Sequence, residues 1–214
     1  MEWNDLREIQ IVKNLLNEKF NIKDIGNLKY FIGMEVPRSK EGISLCQRKY
    51  TLDLLEDTGL LAAKPATTPM DSAIKLHENS GPIHPNPTAY KRLLGMLIYL
   101  SHTRPAISYV VSHLSQFLSK PIIEYYNARL RILRYLKTAH GKGLFFSSKT
   151  NISLKGFSDS DWGACIDTRR SVTCYYFYIG ESLILWKSKR QRTVSRSSKE
   201  AEYRVLALVG CEAQ

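Results

Sequence analysis

Hydrophobic positions recur at helical spacing in the first twenty residues and again through the middle of the chain. Apolar side chains three or four positions apart, with charged residues between them, predict an amphipathic helix at the start, with a face made of Leu6, Ile9, Val12, Leu16 and Phe20. The same spacing predicts four more helices, at Lys49–Thr58, Tyr90–Ser101, from Pro105 to Leu118, and at Glu124–Lys137.

Shorter apolar runs predict strands. Two lie in the first half, at Leu28–Val36 and Ile43–Gln47, and the turn residues between them favour a β-hairpin. Later runs lie at Gly143–Phe146, Ser153–Ser158, Thr173–Ile179 and Ser182–Trp186, before a helical pattern over Ser195–Val209. Strands followed by a helix are typical of an α+β fold.

Ala62–Pro87 contains five prolines and little apolar periodicity, which predicts a long connection lying across a surface. The patterning changes from helical to strand-like from Gly143 onward.

The amino-acid composition limits the classes of protein to which the chain can belong. Hydrophobic residues make up 43% of the chain, so a buried core is expected, and no apolar run approaches the ~18–20 residues of a membrane helix. The first residues lack both the basic segment and the apolar run that are typical of a secretory signal. Four scattered cysteines disfavour structural zinc and indicate an intracellular protein, with nuclear, cytoplasmic and organellar locations all open. The net charge of +11 is compatible with a polyanionic partner, and the alternative is a basic surface that only keeps the protein in solution.

Two groups of carboxylates are candidates for chemistry. Asp159 and Asp161 end a strand-like run, while Glu200 and Glu202 lie in the first turns of the last predicted helix. Oxygen ligands converging from separate elements are what a two-metal phosphodiester hydrolase requires. The alternative is that the aspartates are turn residues and the glutamates form an acidic helix start.

Four motifs carry a resemblance to a known family, in the order Asp159-Ser160-Asp161-Trp162-Gly163, Arg169-Arg170-Ser171, Trp186–Gln191 and Thr193–Tyr203. Their order and spacing resemble the start of the ribonuclease H domain in copia-type retrotransposon polyproteins. Upstream, Lys23–Val36 resembles the segment after the polymerase active site of that family's reverse transcriptase. The resemblance covers nearly the whole chain.

The resemblance implies two domains in an α+β fold. The first is a helical, reverse-transcriptase thumb- and connection-like region with a β-hairpin, over residues 1–147 and including the linker at 62–87. The second, over residues 152–214, is a partial ribonuclease H-like unit with a three-stranded antiparallel sheet and a helix. It implies that Asp159 and Glu202 are catalytic residues and ligands of Mg²⁺ or Mn²⁺, with Asp161 as the alternative to Asp159 and Glu200 as a helix-start carboxylate. The implied partner is RNA–DNA hybrid or another nucleic acid.

Three segments are expected to contact nucleic acid. Tyr30, Phe31 and Gly33 resemble the hairpin that holds a primer end, although a plain apolar hairpin fits equally well. Two basic stretches are candidates for a template track, with a solvated surface as the alternative for each. Their candidate residues are Arg129, Arg131, Arg134 and Lys137 in the first stretch, and Lys187, Lys189, Arg190, Arg192 and Arg196 in the second.

The chain also departs from the family pattern. It contains no Tyr-Val-Asp-Asp polymerase motif, and the further catalytic aspartate expected after the glutamate helix is not found. We therefore expect a nucleic-acid-binding fragment without catalysis. The alternatives are a ribonuclease completed by a partner or a second copy, and a mobile-element relic without function. The strand-rich second domain is expected to be less stable than the helical middle.

Overall fold

A computed structural model describes residues 5–24, 26–71, 77 and 81–214 of the chain. Over these residues the fold is mixed α+β, with two antiparallel sheets and six helices. In chain order the elements are α1 (Leu6–Phe20), β1 (Tyr30–Phe31), β2 (Met34–Glu35), β3 (Gly42–Cys46), α2 (Arg48–Asp57), α3 (Pro87–Leu100), α4 (Pro105–Ser115), α5 (Ile123–Lys137), β4 (Gly143–Ser147), β5 (Leu154–Asp161), β6 (Val172–Ile179), β7 (Ser182–Arg190) and α6 (Ser198–Glu212).

The first sheet has the order β1-β2-β3-β4. Its longest pairing joins β3 to β4, five residues on each side and far apart in sequence. The single strand predicted over Leu28–Val36 is instead a small hairpin, because the chain reverses at Ile32 and Gly33, with φ of 47° and 74°. Positive φ at both central residues defines the turn whose twist matches a two-residue hairpin. An isoleucine at such a position gives no turn signal in the sequence.

The main core lies among α2, α3, α4 and α5. Helical spacing places one apolar face of each helix inward, so that Leu94, Leu97, Ile107 and Leu133 are fully buried. By contrast, α1 has no buried residue, although it has the amphipathic pattern of a packed helix. None of the described helices is both long and apolar enough to cross a bilayer.

The described part of the proline-rich segment lies along α5. Lys137 Nζ donates to Ala63 O at 2.8 Å, and the Ala66 amide donates to Arg134 O at 3.2 Å. Further on, Ile83 forms an isolated antiparallel bridge with Ile122, just before α5. Residues 72–76 and 78–80 of the predicted linker lie outside the description. The described residues of this segment are half-buried or exposed.

The second sheet has the order β5-β6-β7, so β5 is an edge strand. Helix α6 packs on one face, where Tyr175 Oη donates to Glu212 Oε1 at 2.9 Å. Helix α4 lies on the other face, where Trp186 Nε1 donates to Ser108 Oγ at 2.9 Å and Ser112 Oγ donates to Ser188 O at 2.9 Å. The sheet is thus held between α6 and α4.

Candidate nucleic-acid interface and carboxylate site

The two carboxylates predicted to be catalytic lie on neighbouring elements, Asp159 on β5 and Glu202 on α6. Asp159 lies inside β5, which continues past the predicted strand end to Asp161. Glu202, in the second turn of α6, accepts a hydrogen bond from the Ser160 amide at 3.1 Å. The fold therefore brings the Glu202 carboxylate to the residue next to Asp159, across 42 positions of sequence.

The side chains of Asp159 and Ser160 point to opposite faces of the sheet, as successive strand residues do. Ser160 is buried on the α6 face, where its hydroxyl accepts from Gln191 Nε2 at 3.3 Å. Asp159 and Asp161 share the α4 face with Cys174, the direct cross-strand partner of Asp159. Burial raises the pKa of the Cys174 thiol, and the charges of the two aspartates raise it further.

These residues do not fit a pair of catalytic metal ions. Mg²⁺ requires near-octahedral oxygen coordination, and a two-ion site needs several carboxylates on one side of the reacting phosphate. Within the described ranges, no three His, Cys, Asp or Glu side chains are grouped so that they could hold a metal ion. Glu202 Oε1 already accepts the Ser160 amide.

Glu200 starts α6, as expected. The hydroxyl of Ser197, the N-cap residue, accepts from the Glu200 amide at 3.2 Å, and Glu200 Oε2 accepts from the Arg196 amide at 2.7 Å. Glu200 also pairs with Arg204 one turn on, with 2.6 Å between Arg204 NH2 and Glu200 Oε1. The Arg196 amide, together with nearby Arg204 and Arg196, lowers the pKa of the Glu200 carboxyl.

A side-chain amide that sequence reasoning missed ties these elements together. Gln191 Nε2 lies within 3.3 Å of Ser160 Oγ, Thr173 Oγ1 and Ala201 O, so its two protons serve three acceptors. Its Oε1 accepts from Ser195 Oγ at 2.9 Å. One residue thereby connects β5, β6, α6 and the loop before α6. A lone glutamine has no periodic pattern that could have revealed this role.

A basic groove lies between the end of β7 and α6, with a volume of about 400 Å³. Lys187 and Lys189 point to the α6 side of β7 because they alternate with Ser188. The cationic side chains lining the groove include Lys187, Lys189, Arg192 and Arg204. Arg204 was missed from sequence because a single arginine on an exposed helix face is unremarkable.

The other two predicted cations of this stretch lie differently. Arg190 also borders the groove, but its guanidinium points to the opposite face and donates to Cys165 Sγ at 3.5 Å. Arg196 is exposed, and its backbone amide is bound by Glu200. The structure therefore brings together Lys187, Lys189 and Arg192 from the predicted set and adds Arg204 to them.

The expectation that Arg129 lines a template track is wrong. Arg129 is fully buried in the helical core, where NH1 donates to Tyr90 O at 2.6 Å and the guanidinium carbon lies 3.4 Å from the centre of the Tyr90 ring. Burial lowers the pKa of Arg129 to about 10, so the side chain remains charged at neutral pH. A cation enclosed in this way cannot reach a polynucleotide.

Arg134 and the β1–β2 hairpin lie at the surface to different degrees. Arg134 is half-buried, and its Nε has no contact with solvent. Tyr30 and Phe31 are 50% and 57% exposed at the hairpin. Tyr99 Oη donates to Ile32 O, and this bond holds the turn containing Gly33 against α3. Nucleic-acid contact by these residues stays a prediction.

Comparison with known proteins gives the family. Residues 1–72 match the family described as reverse transcriptase (RNA-dependent DNA polymerase). The chain is 42% and 44% identical to retrovirus-related Pol polyproteins from transposons RE2 and RE1 of Arabidopsis thaliana, over 99% and 93% of its length. It spans only 14% of each of those polyproteins.

A shorter relative is matched over most of its own length. The chain is 38% identical to an uncharacterized mitochondrial protein of Arabidopsis thaliana, over 92% of this chain and 82% of that protein. No solved structure is significantly similar. The chain belongs to the copia-type retrotransposon Pol polyprotein family, with its reverse transcriptase domain represented at residues 1–72.

Proposed function

We propose that the chain binds RNA–DNA hybrid through the groove between β7 and α6 and does not cleave it unaided. In this proposal, residues 1–147 form a thumb- and connection-like part of a reverse transcriptase. Residues 152–214 form a partial ribonuclease H-like unit, in which Asp159 and Glu202 correspond to two catalytic carboxylates. The observation that carries the proposal is the convergence of Lys187, Lys189, Arg192 and Arg204 on one groove.

Charge and shape support this use of the groove. The chain has a net charge of +11, and a cationic groove gathers polyanions and releases their counterions on binding. Lys187 is partly neutralised by Glu212, whose Oε1 lies 3.4 Å from Lys187 Nζ. Arg204 is likewise paired with Glu200, with 2.6 Å between Arg204 NH2 and Glu200 Oε1. Lys189 and Arg192 therefore contribute most of the attraction to phosphate.

Salt dependence tests the proposal. Fluorescence anisotropy with a labelled RNA–DNA hybrid, repeated over a range of salt concentrations, gives the slope of log K against log salt. Removing one phosphate contact in Lys189→Ala or Arg192→Ala should weaken binding and reduce that slope by about 1. Lys40→Ala is the matched control, because Lys40 is exposed in the turn before β3. Absence of binding at low salt, or binding insensitive to salt, would contradict the proposal.

A second candidate function is cleavage of the RNA strand when a partner or second copy supplies further carboxylates. It is favoured by the Glu202 carboxylate lying against the Ser160 amide, beside Asp159. Incubation of labelled hybrid with Mg²⁺ or Mn²⁺ separates the two functions. The first proposal expects no cleavage by wild type, whereas cleavage abolished in Asp159→Asn and Glu202→Gln would establish the second. Cleavage unchanged in both variants would refute the carboxylate assignment.

A further inference from the structure

The α4-facing side of the second sheet has a cluster of aromatic rings that the basic groove does not use. Phe157 and Tyr176 are direct cross-strand partners, with ring centres 5.2 Å apart and planes inclined at 22°. Tyr178 lies edge-on to both, at 6.2 Å from Phe157 and 5.9 Å from Tyr176. We call these three rings the aromatic platform.

The platform is open to solvent. Phe157 is 49% exposed and Tyr176 is 42% exposed, which is a high degree of exposure for large apolar rings in mutual contact. Beside the platform is a cleft of about 360 Å³ between the sheet and the first turn of α4. It is lined by Ala106, Tyr109, Tyr176, Tyr178 and Trp186. A cleft of this size, walled by rings, suits a planar heteroaromatic group.

Charge around the platform is distributed unevenly. On the same face of β5, Lys155 precedes Phe157, and Asp159 and Asp161 follow it. Lys155 is the direct cross-strand partner of Tyr178. A chain of phosphates is therefore attracted to the Lys155 end and repelled from the aspartate end, which gives a bound polyanion one preferred path.

We propose that the aromatic platform binds unpaired nucleobases of a single-stranded polynucleotide, whose phosphates follow the Lys155 end. Exposed aromatic rings are the side chains on which unpaired bases stack, and the platform offers three of them in mutual contact. The inference rests on the proposed nucleic-acid binding and adds a second site to it. The platform and the basic groove are separate sites because α4 and α6 lie on opposite faces of the sheet.

The two sites should distinguish paired from unpaired nucleic acid. In a hybrid duplex the bases are stacked on each other and paired, so their faces are unavailable to a protein ring, whereas a single strand exposes them. The basic groove binds phosphate groups, which are present in both the hybrid duplex and the single strand. Loss of the platform should therefore affect single strands and leave hybrid binding unchanged.

Binding of a labelled oligoadenylate and of a labelled hybrid by the full chain tests this. Tyr176→Ala should weaken oligoadenylate binding about 5- to 100-fold, and hybrid affinity should not change. Tyr176→Phe retains the ring and should bind as wild type does. Tyr203→Ala is the control for removal of an exposed tyrosine, since Tyr203 is 72% exposed on α6. Circular dichroism establishes that each variant is folded.

Photocrosslinking provides an independent readout that does not depend on a variant. An oligonucleotide containing 5-bromouracil should crosslink to peptides containing Phe157 or Tyr176, as identified by mass spectrometry. If the hybrid binds and Tyr176→Ala leaves oligoadenylate binding unchanged, the proposed platform is wrong but the proposed function is not. Failure of both ligands to bind would overturn the proposed function as well. A wild-type dimer that Tyr176→Ala dissociates in sedimentation would show that the platform is a protein interface.

Discussion

The helical core and the second sheet are stabilised in different ways. In the core, α2 to α5 bury a continuous set of leucine, isoleucine, valine and aromatic side chains. In and around the second sheet, buried positions include Ser160, Ser171, Thr173, Ser182 and Ser195, and large rings such as Phe157 remain exposed. The helical core therefore relies on apolar burial, and the second sheet depends more on hydrogen bonds among buried polar groups.

The difference has a consequence for local stability. Apolar burial contributes about 25 cal/mol per Å², whereas a satisfied hydrogen bond contributes only about 1 kcal/mol net, and an unsatisfied buried partner costs more than that. We therefore expect amide hydrogen exchange to be slower in α3 and α5 than in β5 and α6. Equal protection from hydrogen exchange in both regions would show that the second sheet is as stable as the helical core.

The largest expected effect is in the helical core. Leu97→Ala removes a fully buried side chain and leaves a cavity among α3 and its neighbours, so the free energy of unfolding should fall by about 2–5 kcal/mol. Denaturant unfolding followed by circular dichroism measures the change. Leu6→Ala, at a position 79% exposed on α1, is the matched control and should change little.

The next largest loss of stability should come from the half-buried side-chain amide of Gln191. Gln191→Ala removes a hydrogen-bond partner from each of Ser160, Thr173 and Ser195. The free energy of unfolding should therefore fall by about 1–3 kcal/mol. Hydrogen exchange should increase in β5, β6 and α6 while α3 keeps its protection. An increase spread evenly over the whole chain would show that the two units unfold together. Gln10→Ala on exposed α1 serves as the control.

A smaller effect is expected at the start of α6. Ser197→Ala removes the hydroxyl that accepts from the Glu200 amide, and losing such a cap costs about 0.5–2 kcal/mol. Ser198→Ala, one position into the helix, should cost less than the cap variant. Thermal unfolding of the two variants side by side makes the comparison. Equal losses would mean that the cap does not stabilise α6.

The smallest effect should be a pH dependence of α6. Because the pKa of Glu200 is lowered from its ordinary value of 4.5, its stabilising contribution is present above that value and is lost as pH falls through the lower, folded-state pKa. An NMR titration of the Arg196 amide reports the loss directly. Glu200→Gln should remove the response at Arg196, while Glu212, whose pKa is lowered by Tyr175 and Lys187, continues to titrate at the other end of α6.

Much of the fold follows from apolar spacing. The helical pattern beginning at Leu6 and ending at Phe20 coincides with α1, and the three central helices and the later strands occur where the patterns predict them. The strand ends were predicted less well. β5 and β7 extend into the polar residues Asp159 to Asp161 and Lys187 to Arg190, because backbone pairing continues where apolar side chains stop.

The site could be predicted only in part. Resemblance drew attention to Asp159 and Glu202, but the network around Gln191 depends on contacts between distant segments, which no local pattern encodes. For Arg129, by contrast, the sequence does contain a pattern that predicts burial. It lies four and seven positions before Leu133 and Leu136, on the buried face of α5, so helical periodicity places it in the core.

The pairing of β3 with β4 bears on how the chain folds as it is made. β3 emerges from the ribosome roughly 100 residues before β4, which at about 5–20 residues per second is a delay of roughly 5–20 s. During that time the edge of β3 has no partner, and α2 to α5 can pack first. Synthesis of β4 is therefore the step that closes the first sheet, and chains arrested before residue 143 would present an open strand edge to chaperones or to one another.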